Sequence, residues 1–286
     1  MLWVLYSLLS AFSWATADVF TKKVFKADDY ILMLARFLYA SPFVLLLLFF
    51  IPIPKLDISF WFVLSLTIPV EVLAWVFYIK AIRISPLSLV VPLLSLTPIF
   101  LIFTSFAILN ELPGFIGFFG ILLIVAGAYI LNFESFSKGI LGPFKSIIKE
   151  KGCIYMISVA FLFSITSNLG KILVQKSSPL FFSAIYLPLL AIPFSIIVFF
   201  TSKEKIKQLK TNFNNLFFMG LFFGLMVIFH LLAIQLVIVP YMISIKRTSS
   251  IFSVLYGYFL FKEKNIPARL IGALIMLIGA VLVILS

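Results

Sequence analysis

The chain has 286 residues, of which 63% are hydrophobic and 11% charged, and its mean hydropathy is +1.23. An average soluble domain holds roughly 45–50% apolar and about 25% charged residues. A soluble enzyme, a secreted disulfide scaffold and a disordered tail are therefore excluded, and the composition is that of a polytopic membrane protein. The net charge of +12 comes from 22 basic and 10 acidic residues. The basic residues sit mostly in short segments between apolar runs, so membrane topology accounts for the charge and no nucleic-acid partner is expected. Cys153 is the single cysteine and cannot form an intrachain disulfide. His230 is the single histidine and cannot build a multi-histidine site, so neither a metal nor another cofactor is expected.

A membrane crossing takes about 20 mostly apolar residues. In chain order, ten runs qualify: 2–21, 31–51, 60–82, 85–109, 113–133, 153–175, 180–200, 216–238, 240–261 and 267–285. They are continuous and lack the period-2 alternation of a membrane barrel, so each reads as a helix whose backbone groups are satisfied internally. Ala15-Thr16-Ala17 resembles a signal-peptidase site, but no basic residue precedes the first apolar stretch, and the run is read as a retained span. Residues 134–151 place Phe136, Ile140, Phe144, Ile147 and Ile148 at near-helical spacing among lysines. That pattern fits either a short helix on the membrane surface or a solvated linker. Residues 201–215 are polar and read as a surface loop.

The two ends of the chain's halves match. Residues 97–100 read TPIF and residues 249–252 read SSIF. Glu111, Gly120 and Gly127 are spaced as are Glu263, Gly272 and Gly279, in the pattern E-x8-G-x6-G. The starts match more weakly, with Lys22 facing Lys171. The expected organisation is a five-helix repeat over 1–133, a linker over 134–152 and a second five-helix repeat over 153–286. Five is odd, so the second copy enters the membrane from the opposite side. The fold class is thus an all-α integral membrane protein of ten transmembrane helices in two inverted repeats, a build typical of secondary transporters.

Two five-span repeats, each closing with a Glu in a short turn and a glycine-bearing last span, resemble the EamA type of the drug/metabolite transporter superfamily. NELPGFIGFFGILLIVAGAYIL and KEKNIPARLIGALIMLIGAVLVIL carry most of the likeness. The resemblance implies transport, with the fifth and tenth spans at the periphery and the others around a central cavity.

Ionisable groups within a bilayer need a partner or a water-filled cavity. Glu71 sits in the middle of the third run, Lys246 and Arg247 lie about two turns into the ninth, and His230 falls in the second half of the eighth. At about 1.5 Å of rise per residue their depths are similar enough for one cavity. Two readings stay open. Lys246 and Arg247 bind an anionic group of a substrate; or Glu71 neutralises one of them while the other snorkels. The segment YMISIKRTSSIF also resembles the twin-basic ninth span of plastid phosphate translocators, although the fourth span, VVPLLSLTPIF, lacks that family's lysine. The expected substrate-binding set is Lys246, Arg247, Glu71, Tyr78, Trp75, Ser95 and Ser250, with Glu71 or His230 as the carrier of a coupling proton. Pro92 and Pro98 should kink the fourth span, opposite the basic pair of the ninth. Asp18 should pair with Lys22 or Arg36. Glu111 and Glu263 should cap the helices that follow them, and the four repeat glycines should allow close packing.

The loops after the first, third, fifth, seventh and ninth runs hold most of the lysines and arginines. Positive-inside reasoning puts them in the cytoplasm and both termini outside, whereas members of the resembled family are drawn with both termini inside. The expected function is export or exchange of a small polar metabolite, anionic or zwitterionic, by alternating access across the cell membrane. The alternatives are proton-coupled export of aromatic amino acids or lipophilic compounds, a non-transporting membrane scaffold, and a membrane-embedded lipid enzyme. No nucleophile–base motif supports the last, and no catalytic residue is expected. The expected partners are a small-molecule substrate and the lipid bilayer, with a homodimer allowed.

Overall fold

The computed structural model describes residues 1–24, 27–85, 90–132, 150–202, 205–262 and 266–286. The helices are α1 (Leu2–Lys23), α2 (Asp29–Leu45), α3 (Ile58–Ile84), α4 (Thr97–Leu109), α5 (Phe115–Asn132), α6 (Lys151–Lys176), α7 (Pro179–Ser202), α8 (Lys207–Thr211), α9 (Phe213–Leu236), α10 (Val239–Lys246), α11 (Ser249–Phe261) and α12 (Ile266–Leu285). Short 3-10 turns at Leu46–Phe49 and Val91–Leu96 extend α2 and precede α4. No strand occurs among the described residues. Seven of these segments are long and apolar enough to cross a membrane, and two shorter apolar helices cover Phe115–Leu131 and Leu270–Leu285.

Polar residues fit into these helices because their hydroxyls bond back to the carbonyl one turn earlier. Thr16 Oγ1 donates to Phe12 O, Ser41 Oγ to Phe37 O and Ser183 Oγ to Pro179 O, at 2.9, 2.7 and 2.6 Å. Helix starts are capped by carboxylates. Asp28 accepts from Tyr30 N ahead of α2, and Asp57 accepts from Phe60 N ahead of α3, at 3.0 and 2.8 Å.

The chain divides into two compact units, Met1–Val72 with Leu169–Val237 and Leu73–Asn168 with Ile238–Ser286. Each draws on both halves of the sequence, and α3 and α6 each contribute to both. In the first unit α1 packs on α9, and α2 packs on α7 and α9. Aromatic rings fill these seams: Phe37 meets Phe194 and Phe223 at centroid distances of 5.1 and 5.8 Å, and Phe20 stacks on Phe218 at 5.2 Å. Asp18 pairs at 2.7 Å with Arg36 on α2, one of the partners expected for it.

In the second unit α5 and α12 form the closest helix pair. A Cβ on Gly120 would lie 2.7 Å from Gly279 O, and one on Gly127 would lie 2.6 Å from Gly272 O. The reverse contacts hold equally, with a Gly279 Cβ 2.6 Å from Gly120 O and a Gly272 Cβ 2.7 Å from Gly127 O. The two helices are therefore antiparallel, and the repeat glycines provide the close approach expected of them. The same glycines relate to one another by the internal repeat, so the pair is self-complementary.

Three sequence expectations change. The ninth run is not one helix: it breaks at Arg247–Thr248 into α10 and α11. The break needs no proline. Arg247 N shares its bond between Ile243 O and Ser244 O, and Thr248 Oγ1 takes up Ile245 O at 2.7 Å. The fourth run is broken at the equivalent place, where the 3-10 turn Val91–Leu96 gives way to α4. Pro92 and Pro98 fall in the first turns of these two segments, where a missing N–H costs nothing. Both copies therefore bend, not one. The 201–215 segment, expected as a loop, contains the short helix α8, because Leu209 finds an apolar seat beside Val24, Ala35, Leu216 and Met219. The amphipathic pattern within 134–151 lies almost wholly outside the described residues.

Candidate functional site

The break between α10 and α11 carries the basic pair. Lys246 is the last residue of α10, Arg247 follows in the turn, and both are half-buried. Arg247 Nη2 donates to Thr97 Oγ1 at 2.8 Å, and Thr97 Oγ1 donates onward to Leu94 O at 2.7 Å. Thr97 is the first residue of α4, so the guanidinium sits where the other copy of the repeat is itself bent. Arg247 Nε is buried without a hydrogen-bond partner. The acidic residues of this unit that the structure describes are engaged elsewhere. Glu111 Oε2 accepts from Val239 N at 3.0 Å, and Glu150 Oε2 accepts from Ser85 Oγ at 3.0 Å. The result is a fixed guanidinium with donor capacity left over, an arrangement suited to a carboxylate or phosphate.

The helices that carry this group are held at both ends. Thr97 meets the end of α10, whereas Glu111, just past the other end of α4, meets its start at Val239. Tyr241 Oη also accepts from Gly114 N at 2.9 Å. Glu111 therefore caps a helix in the other half of the sequence. Its repeat counterpart Glu263 lies outside the described residues. Further along α4, Ser105 Oγ donates to Asn168 Oδ1 at 2.7 Å, and Asn168 Nδ2 donates to Thr104 Oγ1 at 3.1 Å, which ties α4 to α6.

The remaining expected residues divide between the units. Ser95 is buried and donates to Pro92 O within its own turn at 2.6 Å. Ser250 is half-buried, and its N–H closes the turn on Arg247 O at 3.1 Å. Trp75 is 4% exposed and packs edge-on against Tyr78 and Phe163 at 5.6 and 5.4 Å, so its ring is part of the packing of α3 on α6. Tyr78 is half-buried in the same cluster. These residues and the basic pair belong to the second unit. Glu71 and His230 belong to the first. Glu71 is 6% exposed and lies beside the Tyr186 hydroxyl of α7, while His230 is half-buried on α9. Sequence reasoning missed Thr97 and Tyr186. Thr97 was visible as the first residue of the TPIF half of the repeat; nothing in the sequence marked Tyr186.

Long apolar helices with a few embedded charges define an integral membrane protein. The chain belongs to the EamA-like transporter family, whose sequence model matches residues 1–133 and 150–285, so it is a membrane transporter of the drug/metabolite type. A solved crystal structure superimposes over 99% of this chain and 98% of its own, with a TM-score of 0.81 at 14% identity, and shares its fold. No curated protein matches the sequence.

Proposed function

We propose that the protein is a secondary transporter that moves a small polar anionic or zwitterionic metabolite across the cell membrane by alternating access, with Arg247 as the group that receives the anion. The observation that carries this reading is the guanidinium at the α10–α11 break, held by Thr97 and with Nε unpaired. Lys246 adds a second positive charge at the same turn. The partners it requires are the substrate and the bilayer.

The reading includes ten crossings in two inverted copies, and loop contacts support it. With ten crossings, loops after odd-numbered spans share one face and loops after even-numbered spans share the other. The described contacts obey that rule. Asn215, after the seventh span, bonds to Lys23 O after the first. Lys176, after the sixth, meets Asp57 after the second. Ser85, after the third, meets Glu150 after the fifth. The last contact requires α5 to cross together with the fourth span, although it has only 18 residues. At about 1.5 Å per residue it measures roughly 27 Å, close to the hydrocarbon thickness of about 30 Å. The α10–α11 pair reaches across as two pieces joined at the break.

The test is flux into proteoliposomes with a panel of carboxylates, phosphorylated metabolites, amino acids and lipophilic cations. An anion or zwitterion should move, and Arg247→Gln should lower its rate at least about tenfold, the scale of one charge-assisted hydrogen bond of 1.5–3 kcal/mol. Protein folding is followed by the melting temperature of each variant. A second reading is favoured by the buried Glu71 beside Tyr186: proton-coupled export of aromatic or lipophilic compounds. It takes over if Arg247→Gln transports normally, only the lipophilic panel moves, and Glu71→Gln abolishes the response to a pH gradient.

A further inference from the structure

One end of the first unit is basic, exposed and partly apolar. Lys22 and Lys23 close α1, and Asn215 at the start of α9 donates to Lys23 O at 3.3 Å. The short helix α8 packs on α2 and α9 at the same end. It is firmly docked: Leu209 lies in the cluster of Val24, Ala35, Leu216 and Met219, and the Tyr39 hydroxyl donates to Leu209 O at 3.0 Å. Lys207 and Lys210 stand one turn apart on its exposed side.

The nearby Asp28 is engaged by other groups. Asp28 gives Oδ2 to Lys205 at 2.7 Å and gives Oδ1 to Tyr30 N and to Ser202 Oγ at 3.0 and 3.1 Å. Lys23, whose ammonium lies 5.3 Å from the Phe20 ring, remains exposed together with Lys207 and Lys210. Two large apolar side chains flank α8, Ile206 at 40% and Phe213 at 52% exposure. Ammonium groups interleaved with exposed apolar side chains at the rim of a helix bundle match a headgroup layer, where charge meets phosphate and the apolar groups reach the acyl boundary.

We propose that this end of the first unit, with Lys23, Lys207 and Lys210 arrayed around the docked helix α8, binds the headgroups of anionic phospholipids. The surface is prearranged, since α8 is fixed by Leu209 and Tyr39 and its lysines need no ordering to present their charge. This proposal does not depend on which solute the protein carries.

The experiment uses the full chain in nanodiscs of phosphatidylcholine, with and without a fraction of phosphatidylglycerol of the same acyl chains. The readout is the difference in melting temperature between the two discs for each variant, which cancels any change in intrinsic stability. Phosphatidylglycerol should stabilise the wild type by mass action. Lys207→Gln with Lys210→Gln should lose most of that shift, and Lys23→Gln part of it. Lys207→Arg with Lys210→Arg should keep it, as should Lys55→Gln, which alters an exposed lysine between α2 and α3. Titration with a short-chain phosphatidylglycerol should show at least about tenfold weaker binding to the double glutamine variant, from roughly 1 kcal/mol per lysine near an anionic surface. Inorganic phosphate should give no shift. An unchanged phosphatidylglycerol shift in the double glutamine variant, or a shift reproduced by inorganic phosphate alone, overturns the proposal.

Discussion

Two arginines show how differently one side chain can be used within this chain. Arg36 is 5% exposed and meets a carboxylate, Asp18, at 2.7 Å, with Thr21 Oγ1 at 3.1 Å and the Phe223 ring beneath it. Its charge is matched inside its own unit, and its work is to join α1, α2 and α9. Arg247 meets a hydroxyl instead. A hydroxyl orients a guanidinium without neutralising it, which is what a receptor for an external anion requires. Asp57 illustrates a third use of charge, at a helix start outside the membrane-spanning segments. The Ser59 hydroxyl first, and the Phe60 N–H next, hold its carboxyl below the usual carboxylate range. A lowered folded-state value means that the capping contribution is complete above the unfolded pKa of about 3.9 and is lost as pH falls through the lower folded value. Melting temperatures of wild type and Asp57→Asn, compared from near-neutral pH downward, should therefore differ most at neutral pH and converge in acid. A constant gap would exclude the ionised cap.

At the scale of elements, the α5–α12 seam follows from the repeat glycines. Within a bilayer, helices gain little from hydrophobic burial against one another, so association depends on how closely backbones approach. Gly127→Ala would push a methyl to 2.6 Å from Gly272 O and 2.7 Å from Met276 N, both backbone atoms that cannot turn aside. It should cost about 1–3 kcal/mol of stability, the usual scale of overpacking. Gly279→Ala, its repeat counterpart, should cost a similar amount. Gly224→Ala on α9 meets only ordinary contacts at 3.6–3.7 Å and should be neutral or slightly stabilising. Thermal unfolding of the three variants in one detergent checks the ranking, and equal effects at all three sites would refute it. The repeat also appears in the chain's local geometry. Asn110 and Lys262, the residues that end α4 and α11, are the two non-glycine residues with positive φ among those described, at 56° and 52°. Asparagine hints at such a cap, whereas lysine does not, so only the internal match in sequence connects the two positions.

At the scale of the molecule, the family and the apolar helices make this a membrane transporter, and the loop contacts give its topology a test. Lys55 follows the second span and Lys207 follows the seventh. In a ten-span protein they face opposite sides. With Cys153 changed to Ser, a membrane-impermeant maleimide should label one of Lys55→Cys and Lys207→Cys in intact cells and the other only after permeabilisation; positive-inside reasoning predicts that Lys207→Cys is the one that needs permeabilisation. Labelling of both from one side would refute the alternation.

Much of this architecture was legible because lipid imposes simple rules. Continuous apolar runs of about 20 residues in lipid can only be helices, since barrel strands alternate, so the helical class, the ends of most helices and the repeat could be read residue by residue. The seat of Leu209, the cap that Glu111 places on α10, and the contacts of Arg247 with Thr97 and of Glu71 with Tyr186 could not. Each joins groups far apart in the chain, and their distance is set by how whole helices pack. The break at Arg247–Thr248 belongs with them, since no proline marks it and it is held by hydroxyl and backbone bonds that form only once the helix has bent. The sequence by itself determined that this chain is a two-copy helical membrane protein. Only the tertiary structure decided which charges are neutralised and which remain available, because compensation of charge depends on neighbours in space and not on neighbours in sequence.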